Sequence, residues 1–163
     1  MSDTKHTLVA LVEDKPGVLN RVASLFRRRA FNIQSLAVGH SEQPGLSRMT
    51  VVVNGDSAKV EQVRKQLDKL INVIRVTDIT EGDIVARELA LIKVNATAST
   101  RSEIIQIVDI FRANIVDVAS DSLTVEVTGD EDKVKSLLEL LRSFGIKEVT
   151  RTGRIALTRG GTQ

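Results

Sequence analysis

The sequence predicts an α+β fold made of two tandem units, each with the element order β-α-β-β-α-β. The segment from Val53, VNGDSAKVEQVRKQL, aligns without gaps on the segment from Val127, VTGDEDKVKSLLELL, which indicates an internal repeat. A second similarity comes earlier in each copy, at Phe-Asn-Ile 31–33 and Ala-Asn-Ile 113–115. Within both copies, short runs of branched residues predict strands, and segments with apolar residues at helical spacing predict helices between them.

The first elements of copy one are a strand and a helix joined by a tight turn. Residues 7–13 are rich in branched side chains and predict a strand, which Pro16-Gly17 ends. From Val18 the apolar residues follow one helical face. Three arginines at 27–29 then favour the end of this helix, because cations stabilise the negative end of the helix dipole.

The rest of copy one predicts a hairpin, a helix and a strand. Residues 33–39 and 47–53 form the hairpin, with Pro44-Gly45 in its connection. Asp56 is placed as the N-cap of the second helix, since its carboxylate can accept from exposed N–H groups of the first turn. The last strand spans about 72–79.

Copy two repeats this order. Its predicted elements are a strand at 88–96, a helix at about 100–112 that starts with a capping box at Thr100, strands near 115–119 and 122–128, a helix at 131–143, and a strand or pair of strands over 146–158. The junction Glu81-Gly82-Asp83 divides the chain into predicted domains at 1–80 and 84–163.

Each unit is expected to be ferredoxin-like, with two helices on one face of an antiparallel sheet. A unit of this size buries modest apolar area and leaves the other sheet face poorly covered. Pairing with another unit is therefore expected.

Composition excludes several classes of site. The 163 residues contain no Cys, so a disulfide framework, a thiolate metal site and a cysteine nucleophile are excluded. The two histidines, His6 and His40, are interpreted as exposed loop residues without an acidic partner. No nucleophile elbow, phosphate loop or paired carboxylate motif occurs. Catalysis, a metal site and a cofactor in this chain are not expected.

Partners and location follow from the same composition. The formal charge is only +2, and the four Phe lie at or just after predicted helix ends, so base stacking on a sheet is not expected. The N-terminus lacks the features of a secretory signal, and no apolar run is long enough to span a membrane. The chain is expected to be soluble and cytoplasmic, and to bind neither nucleic acid nor membrane.

One segment has the features of a ligand site. Residues 13–19 run from a strand through Pro16-Gly17 directly into a helix, which exposes backbone N–H groups suited to a carboxylate. Asp14 offers an acceptor for an ammonium group, and Val18, Leu19 and Ile33 offer an apolar lining. These groups match a small aliphatic amino acid. The alternative is an ordinary turn with a solvated Asp14, and the residues alone leave both open.

The motifs around this turn carry a family resemblance. Asp-Lys-Pro-Gly-Val-Leu at 14–19 and Leu-Ser-Arg-Met-Thr at 46–50 resemble the N-terminal ACT domain of acetolactate synthase small subunits. The likeness continues through Arg-Glu-Leu-Ala-Leu-Ile-Lys-Val at 87–94 and Ile-Phe-Arg-Ala-Asn-Ile-Val-Asp-Val at 110–118. It covers nearly the whole chain, so both units are included.

The resemblance implies a regulatory subunit that performs no chemistry. In the family, a catalytic large subunit carries thiamine diphosphate, FAD and magnesium and serves branched-chain amino acid biosynthesis. The small subunit activates it and confers feedback inhibition, usually by valine. The alternative is a stand-alone ACT-type amino-acid sensor that regulates a different partner.

The resemblance also implies where the effector binds. Family effector sites lie where two ACT domains meet in a homodimer. They carry over onto four residues of one chain and two of the other: Asp14, Gly17, Val18 and Leu19, with Asn32 and Ile33. This chain departs from the common pattern at Asp14, where relatives often have Asn, and at Ala30, where they often have Gly. An ionised Asp only accepts hydrogen bonds and would repel a carboxylate.

Overall fold

A computed structural model describes residues 4–160. The elements of the first half are β1 (Thr4–Glu13), α1 (Val18–Arg28), β2 (Ile33–His40), β3 (Leu46–Gly55), α2 (Ser57–Asp68) and β4 (Val73–Asp78). Those of the second half are β5 (Ile84–Asn95), α3 (Arg101–Ile110), β6 (Asn114–Val118), β7 (Ser122–Gly129), α4 (Glu131–Arg142), β8 (Ile146–Arg151) and β9 (Ile155–Thr158). The predicted order β-α-β-β-α-β therefore occurs twice, and the fold class is confirmed.

The chain divides into two compact units. Their boundaries differ from those of the predicted domains in the C-terminal segment. Unit 1 contains residues 1–85 together with 154–163, and unit 2 contains residues 86–153. The C-terminal segment, assigned from sequence to the second domain, thus returns to the first unit. Arg159 donates its backbone N–H to the carbonyl oxygen of Asp83 at 2.9 Å, within that unit.

The sheet of unit 1 has the strand order β2-β3-β1-β4, with every pairing antiparallel. β1 pairs with β3 from Thr4 opposite Gly55 to Glu13 opposite Leu46. Because β2 and β1 both run antiparallel to β3, they run parallel to each other, and their C-terminal ends lie at the same end of the sheet. The edge strands of this sheet are β2 and β4.

One face of the unit 1 sheet packs against both helices. Alternate residues of β1, namely Leu8, Ala10 and Val12, are almost fully buried in this core. The helices contribute residues at helical spacing, which are Val18, Val22, Leu25 and Phe26 from α1 and Val60, Val63 and Leu67 from α2. Burial of an aliphatic side chain of this size contributes about 1.5 to 3 kcal/mol.

The other face of this sheet is covered in part by the C-terminal segment. Arg154 donates its backbone N–H to the Ser35 hydroxyl at 2.8 Å and its guanidinium to the Thr7 hydroxyl at 3.0 Å. Thr7 is 2% exposed. The sequence did not predict this cover, because strand alternation does not indicate which distant segment returns.

Unit 2 repeats the architecture with the strand order β6-β7-β5-β8. Its core is formed by fully buried strand and helix residues, among them Ile92, Val125, Ile104 and Leu137. The aligned repeat therefore corresponds to equivalent structural positions in both units.

The N-caps of the two aligned helices are conserved between the copies. Asp56 accepts the backbone N–H of Ala58 at 2.8 Å, which confirms the predicted cap of α2. Asp130 accepts the backbone N–H of Lys133 at 2.9 Å at the start of α4. The predicted capping box at Thr100 is wrong: its hydroxyl makes no bond to the first turn of α3 and instead accepts the N–H of Thr97 at 2.8 Å.

Two helix ends use a left-handed residue that is not glycine. Ala30, which follows α1, has φ 62°, and Arg112, which follows α3, has φ 54°. Beyond Ala30, Phe31 donates its N–H to the carbonyl of Phe26 at 2.9 Å, the bond expected of a Schellman motif. Both side chains carry the steric cost of a positive φ.

The interpretation of His6 as an exposed loop residue is wrong. His6 lies in β1 and is 6% exposed. Its Nδ1 is 3.0 Å from an Asp78 carboxylate oxygen, and its Nε2 is 2.9 Å from the Thr4 hydroxyl. Burial raises the pKa of Asp78, but hydrogen bonds from Thr80 and His6 outweigh burial and lower that pKa. Antiparallel pairing of β1 with β4 creates this contact between residues far apart in sequence.

We predict that Ala30→Gly stabilises the protein by about 1 kcal/mol, because glycine adopts a positive φ without a Cβ clash. Chemical denaturation should give a higher midpoint with an unchanged slope. Ala23→Gly within α1 is the matched control, and it should lower stability by roughly 0.5 to 1 kcal/mol. Equal destabilisation by both substitutions would contradict the role assigned to the backbone at Ala30.

We predict that Gly55→Ala destabilises unit 1 by about 1 to 3 kcal/mol, the usual cost of overpacking a core. A Cβ at Gly55 would clash with a ring carbon of Phe31 and would lie 3.1 Å from a methyl of Val60. At Gly39 a Cβ would meet nothing within 4 Å, so Gly39→Ala is the control. Thermal unfolding that gave the same shift for both would refute the packing argument.

Candidate functional site

The turn between β1 and α1 is set by Gly17. This residue has φ 86° and ψ −11° and stands at the N-cap position of α1. Within the described residues, no side chain caps this helix, and its first turn carries no acidic residue. A Cβ added at Gly17 would meet nothing within 4 Å, so the helix start is open on this side. The positive end of the α1 dipole is therefore accessible to an anion.

A polar network holds the base of the turn. Asn72 donates its side-chain amide to the Glu13 carboxylate at 2.8 Å and accepts a hydrogen bond from Arg21 of α1. The Lys15 ammonium lies 3.1 Å from the same carboxylate. The hydrogen bond from Asn72 and the charge of Lys15 lower the pKa of Glu13. The end of β1, the start of α1 and the start of β4 are thereby linked.

Asp14 lies beside the opening and connects the turn to the β2–β3 hairpin. Its backbone N–H donates to the Gly45 carbonyl at 2.9 Å. Its carboxylate lies 3.2 Å from Nδ1 of His40, the last residue of β2. The Asp14 side chain is 49% exposed, so its carboxylate remains accessible to a ligand.

The two apolar residues predicted at the turn differ in accessibility. Val18 is 3% exposed and packs in the core of unit 1, and its N–H donates to the Lys15 carbonyl at 3.4 Å. Leu19 is 44% exposed on the outer side of the first turn. A ligand at the helix start can therefore contact the Leu19 side chain. The Val18 side chain instead packs in the core below the turn and is not accessible to the ligand.

Asn32 and Ile33 lie at the opposite end of the same sheet. Asn32 is exposed, and Ile33 is half-buried and pairs with Val53, whose β1 partner is His6. His40 instead marks the end near Asp14. At a rise of about 3.3 Å per residue, the two ends of β2 are roughly 20 Å apart. One chain therefore does not bring Asn32 and Ile33 to the turn that holds Asp14 and Gly17.

The equivalent turn of unit 2 is filled by hydroxyl groups. The Thr97 hydroxyl is 3.0 Å from that of Ser99 and 3.1 Å from that of Thr100. The Arg101 guanidinium donates to the carbonyls of Ala119 and Ser120 at 3.2 and 2.9 Å. The first turn of α3 also contains an acidic residue, Glu103, whereas the first turn of α1 has none.

His40 is the site residue that sequence reasoning missed. It is exposed, as predicted, but the interpretation as a loop residue without an acidic partner is wrong, because it ends β2 beside Asp14. The signal available in the sequence was the predicted strand order. In a split β-α-β sheet the C-terminal ends of the first two strands lie at the same end of the sheet. A residue at the end of one strand can therefore contact a residue at the end of the other.

Metal-ligand clusters and membrane-spanning helices are both absent from residues 4–160. No group of three or more His, Cys, Asp or Glu side chains there is arranged to hold a metal ion. Within the same residues, the helices are too short or too polar to cross a bilayer. The turn itself offers backbone N–H groups at the start of α1 and the exposed carboxylate of Asp14.

Comparison with known proteins identifies the family. Residues 8–75 match the family model described as an AHAS small subunit-like ACT domain, and residues 87–160 match that of the small subunit of acetolactate synthase. The probable acetolactate synthase small subunit of Archaeoglobus fulgidus is 60% identical over 96% of this chain and 98% of its own. The acetolactate synthase small subunit of Mycolicibacterium smegmatis is 56% identical over 95% and 91%.

A solved structure gives the same answer for the fold. The crystal structure of the acetolactate synthase small subunit from Thermotoga maritima superposes with a TM-score of 0.88 at 43% identity. The match covers 98% of this chain and 99% of that one. The chain therefore belongs to the acetolactate synthase small subunit family.

Proposed function

We propose that this chain activates the catalytic large subunit of acetolactate synthase and confers feedback inhibition by a branched-chain amino acid, with valine as the effector. Family membership supports a regulatory role in this enzyme. The observation that carries the effector part is the uncapped start of α1 at Gly17, with Asp14 beside it. In this proposal the chain works in the cytoplasm and has no catalysis or cofactor of its own, while thiamine diphosphate, FAD and magnesium are bound by the large subunit.

The chemistry of the turn fits the three parts of valine. Free N–H groups and the dipole of α1 attract the carboxylate. The exposed carboxylate of Asp14 accepts the ammonium group. The half-exposed Leu19 offers an apolar contact for the isopropyl group. A nucleic-acid or membrane role has no comparable support among these residues.

The second half of the site is proposed to come from another copy of the chain. β2 is an edge strand, and an exposed edge presents unpaired N–H and C=O groups that can pair with another strand. If two copies of β2 pair antiparallel about a two-fold axis, the start of one strand lies beside the end of the other. Asn32 and Ile33 of one copy would then lie next to His40 and Asp14 of its partner.

This arrangement explains how a small ligand can regulate. A ligand held by both copies binds one dimer geometry better than another and shifts the population toward it. Coupling of about 1 to 3 kcal/mol between effector and catalytic subunit changes activity by roughly 5- to 150-fold. The family relationship favours acetolactate synthase as the regulated partner over the alternative of a sensor for a different protein.

We predict that valine binds the wild-type chain with measurable heat. Gly17→Asp should weaken binding at least about tenfold, which corresponds to a loss of about 1.4 kcal/mol in binding free energy. A carboxylate at this position repels the ligand carboxylate and competes for the same N–H groups. Gly17→Asn is the matched control, because it is similar in size and shares the positive φ but carries no charge. Calorimetry with valine, leucine and isoleucine makes the comparison.

The same variants should separate regulation from activation. With purified catalytic subunit from the same source, Gly17→Asp should still raise acetolactate formation while valine no longer inhibits it. Loss of activation and inhibition together would assign the turn a structural role. Absence of valine binding and inhibition in the wild type would refute the effector proposal.

We predict that Val38→Lys on β2 weakens self-association and valine binding together, because the pairing brings two added charges into one interface. Val38 is 48% exposed. Ile74→Lys is the matched control, since Ile74 is 52% exposed on β4, the opposite edge of the same sheet. Sedimentation at several concentrations should show weaker dimers for Val38→Lys alone. A monomeric wild type that binds valine would rule out the shared site.

A further inference from the structure

His40 ends β2 directly beside the carboxylate of the proposed effector site. Its Nδ1 lies 3.2 Å from Oδ2 of Asp14, and the two side chains are 84% and 49% exposed. An ion pair this exposed adds little to folding stability. Its position matters more than its strength, because Asp14 is the residue whose negative charge opposes binding of a ligand carboxylate at α1.

Four other charged side chains near this end of the sheet form two ion pairs with one another. Glu13 is paired with Lys15 at 3.1 Å, within the turn that holds Asp14. Glu42, in the hairpin loop, is paired with Arg48 of β3 at 3.1 Å.

On α1, Arg21 donates to the side chain of Asn72. The residues expected from a second copy, Asn32 and Ile33, are neutral. Among residues 4–160, the ion pair of Asp14 is the one with His40.

The His40 imidazole lies next to the carboxylate beside the helix start, so the charge on its ring adds to the net charge there. When the imidazole is protonated, the pair with Asp14 is neutral overall, and the second carboxylate oxygen still accepts a ligand ammonium. When the imidazole is neutral, Asp14 contributes a full negative charge close to the position of the ligand carboxylate. Histidine is the side chain that ordinarily makes this change between about pH 5 and 8.

We propose that His40 is an affinity-determining residue of the effector site, acting as the counter-ion of Asp14 so that a zwitterionic amino acid binds more tightly in mild acid than in mild base. This inference rests on the proposed function and deepens it. It also answers the difficulty raised by Asp14: a neutral asparagine needs no counter-ion, whereas an aspartate beside a carboxylate site does.

The test is calorimetry of valine binding to the full-length chain from about pH 5.5 to about pH 8.5, the range in which histidine titrates. Valine stays zwitterionic throughout this range, so the ligand does not cause a change. For the wild type we expect the dissociation constant to rise roughly 3- to 10-fold across the series, since a nearby charge is worth up to one factor of ten at a partly screened site.

Three variants isolate the pair. His40→Gln should bind weakly at every pH and lose the dependence. Asp14→Asn should also lose the dependence but keep binding in mild base, because no negative charge remains to be neutralised. In Asp14→Asn/His40→Gln, replacing His40 should have a smaller effect than in the wild-type background, which is the sign of direct coupling. Thermal unfolding of all four proteins checks that each is folded.

The outcomes separate this inference from the proposal beneath it. Wild-type binding that is independent of pH, or a dependence that persists in His40→Gln, overturns the role of His40 and leaves valine binding intact. Failure of both the wild type and Asp14→Asn to bind valine at every pH overturns the proposed function, and the role of His40 with it.

Discussion

The antiparallel pairing of β1 with β3 determines where every candidate residue of unit 1 lies. Ten consecutive residues of β1 pair in unbroken register with β3, from Thr4 to Glu13. β3 in turn pairs with β2, so the ends of β1 and β2 lie together at one end of the sheet. A shift of one residue would turn every side chain of β1 to the other face and expose the core. The buried face thus holds the register, and the register brings Asp14 and His40 together.

The two copies show which features the fold needs and which features the site needs. Both copies cap a helix with Asp, at Asp56 and Asp130, and both end a helix with a left-handed residue, at Ala30 and Arg112. They differ at the strand-to-helix turn, which is open at Gly17. In unit 2 it is filled by a cluster of hydroxyl groups. Features shared by the copies maintain the architecture, whereas the turn that differs is where function is expected to reside.

In the proposed effector site, binding of an amino acid depends on charge balance more than on shape. The helix start attracts an anion, Asp14 attracts a cation, and a zwitterion satisfies both. The buried pair of His6 and Asp78 and the exposed pair of His40 and Asp14 illustrate the effect of environment. The first is enclosed in the sheet and joins β1 to the end of β4, while the second faces solvent and is available to a ligand.

The sequence by itself determined the element order, the internal repeat, the cap at Asp56 and the Pro-Gly turn, because each depends on residues close in the chain. Only the tertiary structure decided that His6 is buried against Asp78, that His40 meets Asp14, and that Arg154 returns to the first unit. Each of these contacts joins segments far apart in sequence, and the two His–Asp contacts depend on the register of the paired strands. Local propensity carries no information about that register, so charge partners across the sheet could not be assigned until the strands were placed.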